Sequence, residues 1–170
     1  IATIMSLAGF ALVITFSTGL WNIGIEGQML FGAIGATFIA RTFFGELFFS
    51  PIIIIFFGGL FGSFLGLLSA ILKTRFNVHE IFGGLGINFV ASGLIVYLVI
   101  GPWKREGIAS TGGTDLFPLS SWINGIGGSN FPIYPILIAI ITFLILFLLL
   151  SRTSLGLKLI ATGANKDAAD

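Results

Sequence analysis

The chain has 170 residues, 56% of them hydrophobic and 9% charged, with a formal net charge of +1 and a mean hydropathy of +1.09. Soluble domains carry about 25% charged residues, so this composition excludes an ordinary soluble fold and marks an integral membrane protein. The absence of cysteine removes disulfides, thiolate nucleophiles and Cys-ligated metals, and no basic run exceeds Lys104-Arg105, which excludes the clustered charge of a nucleic-acid binder.

Nineteen Phe and 24 Gly in helix-length apolar runs fit packed transmembrane helices, whereas a barrel would show alternating segments of roughly ten residues. The expected fold class is all-α, a polytopic transmembrane helix bundle with about five membrane segments in a single domain over 1–170. The chain opens on Ile1 inside an apolar run without an initiator Met and stops in a polar stretch, which reads as a fragment. The five expected spans cover 1–20, 22–40, 51–72, 80–100 and 132–150. Ser17-Thr18-Gly19 and Asn22 separate the first two, as either a tight hairpin or a single passage broken where it lines a cavity. Pro51 suits a first helical turn, and Lys73 with Arg75 closes the third span. Pro132 and Pro135 open the last span and Arg152 follows it; residues 136–150 include few small side chains and are expected to face lipid.

Lys73, Arg75, Arg152, Lys158 and Lys166 outnumber Arg41, Lys104 and Arg105. Counting positive charges therefore puts 73–79 and 151–170 in the cytoplasm and the connection 101–131 outside. That connection is rich in Gly, Ser and Pro, with Trp103 and Trp122 as interfacial anchors. At its length it is either a loose linker or a functional docking surface or lid.

Glu26 stands in Trp21-Asn22-Ile23-Gly24-Ile25-Glu26-Gly27-Gln28-Met29, a polar, glycine-broken patch between apolar runs. An ionisable group at membrane depth costs roughly 2.5 to 3.5 kcal/mol on insertion, so it is expected within the helix packing, shielded from lipid and beside a route for solute. On one helix Asn22 and Glu26 share a face while Gln28 lies nearly opposite. If Gly24 and Gly27 break the helix, the freed backbone groups need polar partners. The patch is then either a clamp for irregular backbone or a direct solute contact. Asn88 is a second amide in mid-span, for helix packing or for lining the path.

Gly58, Gly62 and Gly66 make a narrow glycine face for close helix approach, within the bundle or between two copies. His79-Glu80 reads as a solvated helix start, since a lone His without a second acidic neighbour does not make a metal site. Gly128-Ser129 superficially suggests an intramembrane serine protease, but the only His falls on the other side of the bilayer. No phosphate-cradling loop occurs, so the chain itself does not hydrolyse ATP by that route. It is not expected to be an enzyme or to bind a cofactor or metal.

Three stretches together resemble the membrane permease of bacterial ABC importers for nucleosides or simple sugars, the branch related to ribose and branched-chain amino acid permeases. The first is Trp21 through Gly32-Ala33. The second is Asn77-Val78-His79-Glu80-Ile81, running to Leu85-Gly86-Ile87-Asn88-Phe89-Val90-Ala91 and Gly101-Pro102-Trp103-Lys104. The third is Arg152-Thr153-Ser154-Leu155-Gly156-Leu157-Lys158-Leu159-Ile160-Ala161-Thr162-Gly163-Ala164-Asn165-Lys166-Asp167-Ala168-Ala169. Family members usually carry Asn where His79 stands and a Ser/Thr-rich run at Phe82-Gly83-Gly84.

The resemblance implies a multi-pass protein of the bacterial inner membrane, paired with a second permease subunit and two cytoplasmic ATPase subunits. ATP is used by those partners, and an extracytoplasmic lipoprotein delivers the substrate. It also implies that 156–169 couples to the ATPase, through Gly156, Leu157, Ala161, Gly163, Asn165, Ala168 and Ala169. In the expected mechanism, closure of the partners pushes this loop and opens a path near Asn22, Glu26, Gln28 and Asn88. Gly163 would end one short helix and Asn165 cap the next, and a bulky residue at 163 would uncouple hydrolysis from uptake with insertion intact. The alternative is a proton-coupled secondary carrier using Glu26.

Overall fold

The computed structural model describes residues 2–107, 113–123 and 133–164. Among them are six α-helices: α1 (Ala2–Ser17), α2 (Ile25–Ala40), α3 (Ser50–Thr74), α4 (Glu80–Ile100), α5 (Ile133–Arg152) and α6 (Ser154–Ala164). Two 3₁₀ turns, Phe43–Glu46 and Leu119–Ser121, complete the regular structure, and no strand occurs among the described residues. The architecture is the all-α bundle expected.

Of the five expected spans, α3, α4 and α5 are long and apolar enough to cross a membrane, with 25, 21 and 20 residues. The first two are shorter, at 16 residues each, or about 24 Å against a hydrocarbon core of about 30 Å. Hydropathy alone extended them through Leu20 and from Asn22, but residues 18–24 are not helical. Gly19 takes a left-handed φ of 71°, and the hydroxyl of Thr18 turns back to the carbonyl of Thr15 at 2.7 Å, so local turn chemistry overrides apolarity there. Asn22 and Glu26 therefore do not share a helix face, and Gly27, expected to break the helix, lies inside α2.

The chain divides into two compact units, Ile23–Trp122 and Ile1–Asn22 with Ile123–Asp170. In the first, α2 runs antiparallel to α3 along a glycine seam. A Cβ on Gly32 would lie 2.9 Å from the carbonyl oxygen of Gly58, and one on Gly62 would lie 3.1 Å from that of Gln28. Only glycine allows backbones this close. Gly66 faces the Gln28 side chain, while Gly59 has nothing within 4 Å of its virtual Cβ. The row Gly58, Gly62, Gly66 thus serves packing inside the bundle. Leu65, Ile87 and Ala91 form the buried core where α4 joins, with Leu30, Phe31 and Leu72 against them, and Phe31 stacks near Phe61 at 5.6 Å between ring centroids.

The α3–α4 turn reverses through Asn77 in the left-handed region, φ 52°, where Asn is better tolerated than most residues. Lys73 pairs with Glu80 at 3.1 Å, and His79 caps α4 by accepting from the Ile81 N–H at 3.4 Å. At the opposite end of α3 and α4, Arg41 pairs with Asp115 at 3.5 Å, Arg105 approaches the same carboxylate at 4.0 Å, and the Arg41 guanidinium stands 6.0 Å from the Trp103 ring centroid. Ser120 and Ser121 both donate to the Gly45 carbonyl, at 2.7 and 2.8 Å. The described part of the long connection is therefore fastened to the α2–α3 turn, which overturns the loose-linker reading for residues 113–122.

In the second unit α1 lies along α5, with Phe10 and Phe143 centroids 5.7 Å apart. No residue of α5 is buried, as its scarcity of small residues suggested. Pro132, Ser129 and Asn165 lie outside the described residues.

The seam yields a stability prediction. Gly32→Leu forces α2 and α3 apart and lowers unfolding stability by about 1 to 3 kcal/mol, whereas Gly59→Leu, which meets open space, changes it by less than about 0.5 kcal/mol. Thermal unfolding of the two variants in detergent, read side by side, checks the pair.

Candidate functional site

The start of α2 is an irregular backbone held by one side chain of α4. Asn88 uses both ends of its amide: Oδ1 accepts from the Gly27 N–H at 2.8 Å, and Nδ2 donates to the Ile23 carbonyl at 3.0 Å. Those two groups belong to the ragged first turn, where backbone donors and the preceding carbonyls lack helical partners. Gly24, the N-cap, offers no side chain to satisfy them, so the partner comes from across the bundle.

Two glycines make that reach possible. A Cβ on Gly27 would lie 2.8 Å from Asn88 Oδ1, and one on Gly84 would lie 2.7 Å from the Gly24 nitrogen. Gly84 and Asn88 are one turn apart on α4, so the same face supplies the close approach and the amide. Asn88 lies eight residues beyond Glu80, about 12 Å along the axis, which sets the irregular segment well inside from the Lys73–Glu80 pair. At such depth an unpaired backbone group costs several kcal/mol, and the clamp removes that cost.

Glu26 lies between the two clamped residues, Ile23 and Gly27, and takes no part in the clamp. Its side chain is exposed and makes no ion pair or hydrogen bond among the described residues. The expectation that packing shields it is not met within its unit, because the buried neighbour Gly27 takes the face toward α4. Gln28 turns instead to the α3 seam, and both Gln28 and Asn22 carry polar interactions of their own. Asn22 lies in the unit containing α1, outside the clamp. Within the polar patch, Asn88 holds the backbone and the Glu26 carboxylate is left outward.

Sequence reasoning found Asn88 and Glu26 but missed Gly84 and the inward role of Gly27. The available signal was Gly84-x-x-x-Asn88 on an otherwise apolar helix, a small residue one turn before an amide.

Of the segment expected to couple to an ATPase, 156–169, the described residues 156–164 lie in α6. Gly156 is buried against the backbone of Leu149 and Leu150, and Thr153 Oγ1 accepts from its N–H at 3.1 Å. Gly163 faces the Ser17 carbonyl and the Gly19 nitrogen, so any side chain there would collide with the end of α1. Gly163 lies within α6 and does not end it. A bulky residue at this position displaces the helix, so its effect is not confined to coupling. Ala161 is half-buried, while Leu155 and Leu157 are exposed, at 63% and 69%. Asn165, Ala168 and Ala169 lie outside the described residues. No cluster of three or more His, Cys, Asp or Glu that could hold a metal ion occurs among the described residues.

Long apolar helices, a polar break held at depth and an amphipathic terminal helix define a multi-pass membrane protein of the transport type. Residues 1–170 match the family described as the permease component of branched-chain amino acid transport systems, and the chain belongs to that family. It is a membrane permease component and not an enzyme. It is similar to a glucose ABC transporter permease protein of Haloferax volcanii, 29% identical over 96% of this chain and 45% of that protein. It is also similar to a nucleoside ABC transporter permease protein of Lactococcus lactis, 25% identical over 96% and 47%, and to a guanosine ABC transporter permease protein of Bacillus subtilis, 26% identical over 96% and 47%. The chain spans about half the length of these relatives. No solved structure matches it.

The clamp separates two substitutions. Asn88→Ala strands the Gly27 N–H and the Ile23 carbonyl and destabilises by about 1 to 3 kcal/mol. Glu26→Gln, which breaks no contact within the unit, leaves the unfolding temperature unchanged. Parallel thermal melts of the purified variants give the comparison, and equal losses would overturn this assignment.

Proposed function

We propose that this chain is part of the permease subunit of an ABC importer that carries nucleosides or simple sugars, energised by separate ATPase subunits and supplied by an extracytoplasmic binding lipoprotein. The observation that carries the reading is the match of the whole chain to the permease family, joined to relatives named for glucose, nucleosides and guanosine. Nothing favours the proton-coupled carrier over it.

Within this reading Glu26 faces the solute path. A carboxylate left without a protein partner inside a membrane bundle is stable only beside water or solute, and its two oxygens are acceptors suited to adjacent hydroxyls. Sugars and ribonucleosides share such hydroxyls. Asn88 acts one step back, holding the backbone that presents Glu26, Gln28 faces the α3 seam, and Asn22 belongs to the non-helical approach. Alternating access then proceeds as a rocking of helices with no covalent step.

Coupling runs through α6. Leu157, exposed on α6, offers apolar surface to a cytoplasmic partner, and exposed Leu155 stands on the other side of buried Gly156, while Gly156 and Gly163 fasten the helix to its own unit. Ala161 is half-buried, and Asn165, Ala168 and Ala169, which lie outside the described residues, belong to the coupling segment by resemblance alone.

Uptake of labelled guanosine and glucose by vesicles holding the complete complex is the test. Uptake that requires ATP and ceases on its depletion is the expected result. Uptake driven by a proton gradient without ATP would overturn the proposal. In the same vesicles Leu157→Asp lowers uptake about tenfold or more, since losing one buried Leu contact removes about 1.5 to 3 kcal/mol of docking energy. The amount of permease in the membrane stays unchanged.

A further inference from the structure

We infer that the α2–α3 connector, residues 42–49, is an interfacial membrane segment whose rings Phe44, Phe48 and Phe49 enter the lipid at the boundary between headgroups and hydrocarbon. The connector has the sequence Thr42-Phe43-Phe44-Gly45-Glu46-Leu47-Phe48-Phe49. Phe43, Phe44, Phe48 and Phe49 are 71%, 46%, 89% and 63% exposed. Four exposed rings within seven residues form an apolar patch that water does not tolerate without reason.

Two internal rulers give its depth. Lys73 and Glu80, paired at 3.1 Å, mark one polar boundary of the unit. About 20 residues cross the hydrocarbon, and that length counted back along α3 from Lys73 reaches Ile53. Counted forward along α4 from Glu80, it reaches Ile100. Both rulers end at the same level, just short of Phe49 on one helix and of Trp103 on the other. Trp103 is the kind of ring that marks this level, and Arg41 stacks over it. The connector therefore lies at the boundary itself, neither in bulk water nor at mid-membrane.

The backbone of the connector is arranged for such a place. Water is scarce at the boundary, so main-chain groups need partners from the protein. The Thr42 N–H donates to the Ile39 carbonyl at 3.0 Å, the Gly45 N–H to Thr42 at 2.9 Å, and the Ser50 N–H to Leu47 at 3.0 Å. The Gly45 carbonyl, which a 3₁₀ turn leaves over, accepts from both Ser120 and Ser121. Ser50 is fully buried, and its hydroxyl closes the cluster on Ser121 at 3.1 Å. Glu46, the one charge in the connector, borders the same cleft as Arg41 and Asp115. Phe43 lines that cleft beside the charges, while Phe44, Phe48 and Phe49 stand outside it, so charged and apolar groups divide as in an interfacial amphipathic segment.

These 170 residues contain no cysteine, so site-directed spin labelling requires only that any cysteine elsewhere in the full-length permease be replaced. Phe48→Cys, Phe44→Cys and, in the exposed segment beyond α4, Glu106→Cys are each labelled in the full-length permease in lipid nanodiscs. Collision rates are then read with oxygen, which partitions into lipid, and with a water-soluble nickel chelate. At Phe48 and Phe44 oxygen collisions exceed nickel collisions several-fold, and at Glu106 the order reverses. Nickel-dominated relaxation at Phe48 places the connector in water and overturns the inference. Low collision rates with both reagents place it under protein and overturn it equally. Where Phe48→Cys fails to insert, Phe44→Cys carries the same decision.

Discussion

A backbone that leaves its helix at membrane depth must find hydrogen-bond partners within the protein, and in this chain one amide from α4 provides them. Asn88 reaches the N–H of Gly27 and the carbonyl of Ile23, on either side of the point where α2 begins. Without that pair the start of α2 would either extend as helix, erasing the break, or lose several kcal/mol in unpaired polar groups. The clamp in turn dictates the glycines. Gly27 and Gly84 are required because a methyl group at either would occupy the space of the atoms it brings together. The polar break and the small residues around it are one device.

Close approach recurs along the unit and explains why a short α2 is sufficient. Its 16 residues include the buried Ile34, Ile39 and Ala40, and close packing with interhelical hydrogen bonds holds it. The Gly32–Gly58–Gly62 seam brings backbones together on one side and the Asn88 clamp fixes the other. Beyond its last turn, Arg41 is held by Asp115 and Trp103. Pinned on two faces and at its end, α2 is fastened to both α3 and α4.

Much of this was legible in the sequence, and for physical reasons. Long apolar runs with charged ends fixed α3, α4 and α5, because only hydrophobic length is needed to cross lipid. The glycine row of α3 was legible for the same reason, since four-residue spacing puts small residues on one helix face. The limits of α1 and α2 were not, because Leu20 and Asn22 sit within apolar surroundings and only the turn at Thr18 and Gly19 decides that the helix has ended. The placement of Glu26 also escaped: hydropathy announces that a carboxylate needs a polar neighbour, but which face of α2 it takes depends on Gly27 lying against Asn88. Fastening of the long connection through Ser120 and Ser121 left no periodic signal, because two adjacent hydroxyls donating to one carbonyl look like any loop.

The site therefore separates the tasks that one polar patch seemed to combine. A single acid serving both as clamp and as solute contact would be caught between them, since a hydrogen bond tight enough to hold backbone at depth leaves little acceptor capacity for a passing hydroxyl. Here a neutral amide does the holding. Asn suits this because it donates and accepts at once, matching one N–H and one carbonyl without bringing a charge into the bundle. The carboxylate is then released from structural work, and its oxygens stay open on the face that the clamp orients. The same reasoning applies to α6, where Gly156 and Gly163 anchor the helix and leave Leu155 and Leu157 outward. In both places residues without charge or without a side chain secure the backbone, and a chemically distinctive neighbour is left exposed.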